Sequence, residues 1–208
     1  MILVHPVVET RLLNGFALWP ATDFTAYEFL ALHDSLDPPE VGAAMMSIIA
    51  WNGGGPLDHD LPPAPSEPLE GFLHGFLVRD ELFAPGGLRV TDTAHGTTLV
   101  PGCCAGLGEW RDWCAFVDHD RPPDLGHDPT PRAELSGENV RLTVDTERDD
   151  SPTIDLTAAE LRPLLAGVER DLAGFLRLTA AWSEHHVPGH AAPVTAALAR
   201  ALDMPSRT

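Results

Sequence analysis

The side chains best suited to nucleophilic chemistry lie in one short segment. Residues 100–117 read VPGCCAGLGEWRDWCAFV and contain Cys103, Cys104 and Cys114, the three cysteines of the protein. Apolar residues at helical spacing after Gly106 predict a helix, and Cys103 and Cys104 would then lie at or just before its first turn. Backbone N–H groups and the helix dipole lower the pKa of a thiol there, so one hypothesis is a reactive cysteine.

A nucleophilic thiol needs a general base and a group that orients that base. His95 and Asp92 are the nearest candidates, because both belong to the turn of a predicted hairpin that precedes the cysteines. The competing interpretation is structural, with small cysteines filling a crowded corner beneath Trp110 and Trp113. The residue pattern leaves both interpretations open.

A small-ligand site at the same corner is a related hypothesis. Its ligand-binding residues would be Trp110, Trp113, His127 and Asp128. The turn at 127–129 also has a structural interpretation, since Asp side chains commonly bond the backbone of the turn that they start.

Ten histidines raise the question of a metal site. His185, His186 and His190 are interrupted by a Pro-Gly pair, which breaks the helix that would align them. Acidic-histidine clusters at 58–60, 118–120 and 126–129 lie in predicted loops, where they are either solvated or, two or three together, parts of a mixed nitrogen and oxygen site. No ligand pair has a recognised spacing, so the sequence predicts no metal site and no cofactor.

The charge balance restricts the partners of this protein. Its 31 acidic residues outnumber 13 basic ones, all arginine, for a net charge of −18. This charge disfavours nucleic acid and anionic membranes, which need a basic surface, and it permits a basic protein partner. Solubility alone is the competing explanation. No run of about 18 apolar residues and no signal-like N-terminus is present, so we expect a cytoplasmic protein without a membrane span.

Capping boxes, in which Thr or Asp is followed three residues later by Glu, predict three helix starts. The pairs are Asp37 with Glu40, Thr25 with Glu28, and Thr157 with Glu160. Apolar periodicity predicts that the first helix ends near Asn52 and the second near Leu36. The third should continue for about five turns with a kink or restart at Pro163, because proline lacks the N–H of a helix interior.

Further segments complete the predicted fold. Residues 193–202 predict a last helix, and residues 69–83 favour helix over strand. Two hairpins are predicted, at 88–100 and at 133–144, and the Gly/Pro-rich residues 53–68 predict a loop. The expected fold is a single α+β domain over residues 1–208, with a mostly antiparallel sheet of hairpins packed with about four to five helices.

Two motifs carry a resemblance to known sequences. PGCCAGLGEWRDW at 101–113, followed by GHDPTP at 126–131, resembles a family of uncharacterised, mainly actinobacterial proteins over Phe72 to the C-terminus. The resemblance implies a bacterial protein, and it implies no activity and no catalytic residue.

Two hypotheses of function follow. The first is an acidic cytoplasmic binding protein, of the immunity type that neutralises a basic protein, by analogy with other small acidic α+β bacterial proteins. The second is a thiol-dependent enzyme or small-ligand-binding protein with its site at Cys103 and Cys104. No GxGxxG, P-loop, HExxH, GxSxG or CxxC motif occurs, which removes the common nucleotide, zincin, hydrolase and thioredoxin interpretations.

Overall fold

The computed structural model describes residues 1–25, 27–53 and 61–205. In this part of the chain a four-stranded and a three-stranded antiparallel sheet are packed with five α-helices. The chain is therefore an α+β protein, as predicted. The cluster at 58–60 lies outside the described residues, and residues 61–67 of the predicted loop contain neither helix nor strand.

The elements follow one another in an irregular order of strands and helices. The strands are β1 (Ile2–Glu9), β2 (Phe29–Ala31), β3 (Gly86–Asp92), β4 (Thr97–Leu99), β5 (Arg132–Ser136), β6 (Asn139–Thr143) and β7 (Thr153–Thr157). The helices are α1 (Pro38–Trp51), α2 (Pro68–Val78), α3 (Asp112–His119), α4 (Ala158–His186) and α5 (Ala191–Ala201). A 3-10 turn at Leu107–Glu109 precedes α3.

The first sheet has the order β2-β1-β3-β4 and is built around β1. β1 pairs with β3 over seven residues, from Ile2 opposite Asp92 to Val8 opposite Gly86. Val7 and Val8 are fully buried, because β1 is covered by α4 and α1 and has neighbours on both edges. The predicted hairpin at 88–100 is β3 and β4.

The second sheet has the order β5-β6-β7. β5 and β6 form the hairpin predicted at 133–144, with a positive φ of 63° at Gly137 in its turn. Alternate residues of the three strands are buried, as expected for a sheet with one face on the core. β7 was not predicted, and it leads directly into α4.

Two of the three predicted capping boxes form. The Asp37 carboxylate accepts a 2.8 Å hydrogen bond from the Glu40 N–H and starts α1. Thr157 and Glu160 make the same reciprocal bonds at the start of α4. α4 is one continuous helix of 29 residues that passes through Pro163, so the predicted restart does not occur.

The helix predicted from Thr25 to Leu36 is wrong. The Glu28 carboxylate accepts a 3.3 Å hydrogen bond from the Thr25 N–H, so half of the box forms. The chain then turns at Tyr27, which has a φ of 68°, and continues as β2. Pairing with the free edge of β1 satisfies the backbone hydrogen-bonding groups of this segment. Strand pairing therefore forms in place of the helix that the local sequence predicts.

Buried apolar side chains from both sheets and all five helices of the described residues form one contiguous cluster. The single-domain organisation over 1–208 stays a prediction. Within the described ranges, no helix has the length and apolar content that crossing a membrane requires.

The apolar stripe of α4 generates a prediction. Leu165 is 3% exposed, and Leu165→Ala should lower the free energy of unfolding by about 2 to 5 kcal/mol, because it leaves a cavity in the core. Leu164→Ala, at the half-buried neighbouring position, is the matched control and should cost less. Urea denaturation measures both, and equal losses would contradict the assigned face of α4.

Candidate functional site

The segments that carry the two sequence motifs meet at one place, the cysteine corner, which we define as residues 101–106 and 124–129. The Cys103 N–H donates to the His127 carbonyl, and the His127 N–H donates to the Cys103 carbonyl at 3.1 Å. The Gly102 N–H donates to the Leu125 carbonyl at 2.7 Å. These bonds form a short antiparallel bridge between residues that are distant in the sequence.

Two glycines permit this close approach. A Cβ atom at Gly102 would lie 2.3 Å from the carbonyl oxygen of Pro129, and one at Gly126 would lie 2.4 Å from that of Cys103. Gly126 also has a φ of +78°, which side-chain-bearing residues rarely adopt. Both positions therefore require glycine for the bridge to form.

The two adjacent thiols point to the same side of the backbone. Successive side chains of an extended chain point to opposite faces, but Cys104 has a φ of 67° and reverses its direction. The two Sγ atoms lie 3.5 Å apart, and both side chains are exposed. A ligand atom of His127 lies within 4.8 Å of both sulfur atoms.

The predicted helix-start position of the cysteines is wrong. α3 begins at Asp112, and the 3-10 turn before it begins at Leu107, so neither Cys103 nor Cys104 receives N–H groups from a helix end. The hydrogen bond between the two thiols raises the pKa of Cys103, and burial and the negative charges of Cys104 and Glu9 add to that rise. These surroundings do not activate the Cys103 thiol.

The predicted base is not beside the cysteines. The Gly86 N–H at the start of β3 donates to the Ala105 carbonyl of the corner, whereas Asp92 lies at the opposite end of β3. Seven strand residues span about 20 Å, and no hydrogen bond within the described chain joins His95 to either thiol. His95 and Asp92 bond each other, and this bond lowers the pKa of Asp92. Together they stabilise the hairpin turn.

The two indoles belong to the core. Trp110 is 2% exposed and Trp113 is 3% exposed, and the Trp110 Nε1 donates to the Leu202 carbonyl at 3.0 Å. The cavity beside both rings measures about 10 Å³, which is room for one water molecule. Their burial shows a packing role, and their predicted role as ligand-binding residues stays a prediction.

Carboxylates surround the corner. Glu9 interacts electrostatically with Cys103, and the Asp128 carboxylate lies 3.5 Å from Nδ1 of His127. Partial burial raises the pKa of Glu109, and the negative charge of Asp124 raises it further. No arginine of the described chain lies within ion-pair distance of any of these four carboxylates. The sequence analysis missed Glu9, Glu109 and Asp124, because only tertiary contacts bring them here.

A second concave region lies beneath residues 10–24 and measures about 230 Å³. Two of its polar groups are bonded within the protein: the Ser47 hydroxyl accepts from the Arg11 N–H and donates to the Ala43 carbonyl. The Thr10 hydroxyl likewise bonds the backbone of the adjacent loop. The residues that line this cleft include no cysteine and no histidine, so the cysteine corner is the stronger candidate for nucleophilic or metal-binding chemistry.

Comparisons with protein-family models, with curated proteins and with solved structures found no match to this chain. The class of protein is therefore defined by its own architecture. It is an α+β protein with an exposed pair of thiols and an imidazole set among carboxylates that have no arginine partner within the described residues.

The thiols generate a prediction about reactivity. In reduced protein treated with EDTA, Cys103 and Cys104 should react with iodoacetamide in the folded state, because both are exposed. The rate at Cys103 should not exceed that of an unstructured cysteine, because the pKa of this thiol is raised. Cys114, half-buried and with its pKa raised by burial, should react more slowly. Mass spectrometry of each site measures these rates, and a fast site with a midpoint below about 8.5 would restore the nucleophile hypothesis.

Proposed function

We propose that this protein is an acidic binding protein that recognises a basic protein partner through the carboxylates around the cysteine corner. The observation that carries the proposal is the set of four carboxylates without an arginine partner, Glu9, Glu109, Asp124 and Asp128. Like charges held together destabilise a fold, so their concentration at one place favours a role in binding a cation-rich surface.

The acidic surface extends beyond the corner. The Thr146 N–H donates to the Thr130 carbonyl at 2.9 Å, and the Thr130 N–H donates to the Asp145 carboxylate at 3.3 Å. The loop 145–150 therefore lies beside Asp128. It adds four carboxylates and one arginine, Arg148, which is bonded to Asp150. We call this loop and the four carboxylates of the corner the acidic face.

Several arginines outside the acidic face are paired with carboxylates. Arg162 lies 3.0 Å from Asp118, and Arg111 lies 3.3 Å from Glu169, so both link α3 to α4. Arg141 lies 2.8 Å from Asp155 across the second sheet. These pairs stabilise the contacts between elements, and the net negative charge remains available to a partner.

An immunity-type neutraliser is the specific form of binding protein that we propose. Neutralising a basic toxin needs fast association and a complementary surface, and it needs no catalytic group. The raised pKa of Cys103 and the distance of His95 from both thiols also disfavour a thiol-dependent enzyme. The acidic face therefore supports binding better than catalysis.

Partner capture tests the proposed function. Immobilised protein exposed to bacterial lysate at low salt should retain basic proteins, and their retention should fall as the salt concentration rises. Salt shortens the electrostatic screening length from about 8 Å at physiological ionic strength to about 3 Å at 1 M. The variant Glu109→Gln/Asp124→Asn should retain them less. Mass spectrometry of the eluates identifies the retained proteins.

A single substitution away from the face provides the control. Asp34 lies three residues after the last residue of β2. Because β2 runs antiparallel to β1, Asp34 lies toward the start of β1, whereas Glu9 is the last residue of β1. Asp34→Asn should retain the partners as the wild type does. Retention of neutral or acidic proteins without salt dependence would contradict the proposal and leave the charge as a solubility trait.

The raised pKa of Glu109 predicts that its ionised carboxylate lowers the stability of the fold, while the proposed function assigns it to partner binding. Its ionised form is disfavoured in the folded state, so Glu109→Gln should raise the free energy of unfolding at neutral pH. The gain should vanish as the pH falls below the unfolded pKa of about 4.3, because the carboxyl is then neutral in both states. Denaturation curves at both pH values measure it, with exposed Glu184→Gln as control. A loss of stability at neutral pH would contradict this account of the carboxylates.

A further inference from the structure

Three exposed donor groups converge at the cysteine corner. One ligand atom each from Cys103, Cys104 and His127 lies within 4.8 Å of the other two. Within the described ranges, these side chains form the one cluster of histidine, cysteine and carboxylate groups with metal-binding geometry. The acidic face does not require this arrangement, because thiols add no charge to it while they are protonated.

The donor types select the kind of metal. Thiolate and imidazole ligands suit Zn²⁺, whereas Mg²⁺ and Ca²⁺ take oxygen ligands. A catalytic-type or exchangeable zinc site uses three protein ligands and leaves one position for water or another molecule. Two thiolates and one imidazole match that ligand count.

The sulfur separation agrees with a shared ion. Two thiolates bound to one tetrahedral Zn²⁺ at about 2.3 Å lie about 3.8 Å apart. The Sγ atoms of Cys103 and Cys104 are 3.5 Å apart, so little movement is needed to place one ion between them.

The backbone organises the ligands before any ion binds. The two hydrogen bonds of the Cys103–His127 bridge set the imidazole beside the thiols, and Gly102 and Gly126 permit that bridge. Cys104 adopts a left-handed φ of 67°, which glycine would adopt with less strain. This conformation of Cys104 brings the second thiol to the same side of the backbone as the first. Backbone strain of this kind is typical of functional positions.

The surrounding charge favours a cation. Glu9 and Asp128 place negative charge beside the thiols and the imidazole. Carboxylates near the ligand set stabilise a bound divalent ion and commonly orient a metal-binding imidazole. The negative charge beside the ligand set therefore favours a bound divalent cation.

A disulfide between the adjacent cysteines is the competing use of the pair. Neighbouring Cα atoms across a trans peptide lie about 3.8 Å apart, below the range of about 4.4 to 6.8 Å of ordinary disulfides. Such a bond would be strained and easily reduced. The free thiols of the corner are therefore better suited to holding a metal than to forming a structural crosslink.

We propose that Cys103, Cys104 and His127 bind one Zn²⁺ ion, with a fourth coordination position open at the protein surface. Zinc binding at this site does not require the acidic face to bind a protein partner. A protein that binds zinc without a basic partner, or a basic partner without zinc, would separate the two proposals.

Metal titration tests the site. The 208-residue chain, without a histidine tag, is reduced, treated with EDTA and titrated with Co²⁺ as a spectroscopic probe. We expect one equivalent to bind, with thiolate-to-cobalt charge-transfer absorption and the visible bands of tetrahedral cobalt, and Zn²⁺ should displace it. Metal analysis after dialysis should give one Zn²⁺ per chain.

Substitutions assign the ligands. Cys104→Gly removes a thiolate while relieving the strained φ, so the variant should fold with undiminished stability and lose the charge-transfer band. Loss of an outer-shell partner weakens metal binding roughly 10- to 100-fold. His127→Asn removes a proposed direct ligand, so it should weaken Zn²⁺ binding by more than that. Cys114→Ser, which changes a cysteine outside the cluster, is the matched control and should bind as the wild type does.

Three results would overturn the proposal. The first is wild-type protein that binds no Zn²⁺ or Co²⁺. The second is a band or affinity unchanged in folded Cys104→Gly or His127→Asn. The third is binding that is lost in a His185→Asn/His186→Asn variant and kept in Cys104→Gly, which would assign the metal to the histidines at the end of α4.

Discussion

The reciprocal hydrogen bonds between Cys103 and His127 constrain the connection between the two sheets. The chain leaves the first sheet at Leu99 and enters the second at Arg132, and the bridge closes the intervening segment on itself with α3 inside it. Glycines at 102 and 126 are the condition for that closure. The fold therefore places the exposed thiols, the imidazole and the nearby carboxylates together through one backbone contact.

The electrostatics of the corner disfavour a reactive thiolate at Cys103. A reactive thiolate needs positive charge or N–H donors nearby, and this corner supplies carboxylates and a second thiol. The same surroundings favour a positively charged binding partner, whether a metal ion or an arginine-rich or lysine-rich surface. Cation binding is thus the property that the proposed function and the zinc site share.

Local signals in the sequence predicted those elements whose stability is local. The capping boxes of α1 and α4, the two hairpins and the α+β class are confirmed. The capping box at Thr25 does not start a helix, because the residues that follow it pair with the edge of β1. This pairing involves a distant segment, so the local sequence does not indicate it. β1 was not predicted, and neither was β7, although residues 149–152 before β7 read DDSP and are typical of a turn.

The candidate site was predicted only in part, for the same physical reason. Cys103, Cys104, His127 and Asp128 were singled out by residue type, but the cysteines were assigned to a helix start and paired with His95. Spacing cannot reveal a bridge between distant segments, and the contact of His127 with the thiols depends on it. Buried Trp110 and Trp113 show the converse case, since conspicuous residues at a corner serve its packing.

X-ray absorption spectroscopy at the zinc edge tests the central claim, that the corner is a preorganised cation site, most directly. The protein loaded with one equivalent of Zn²⁺ should show two sulfur ligands at about 2.3 Å and nitrogen or oxygen ligands at about 2.0 to 2.1 Å. A first shell made of nitrogen and oxygen alone, without sulfur, would contradict the account.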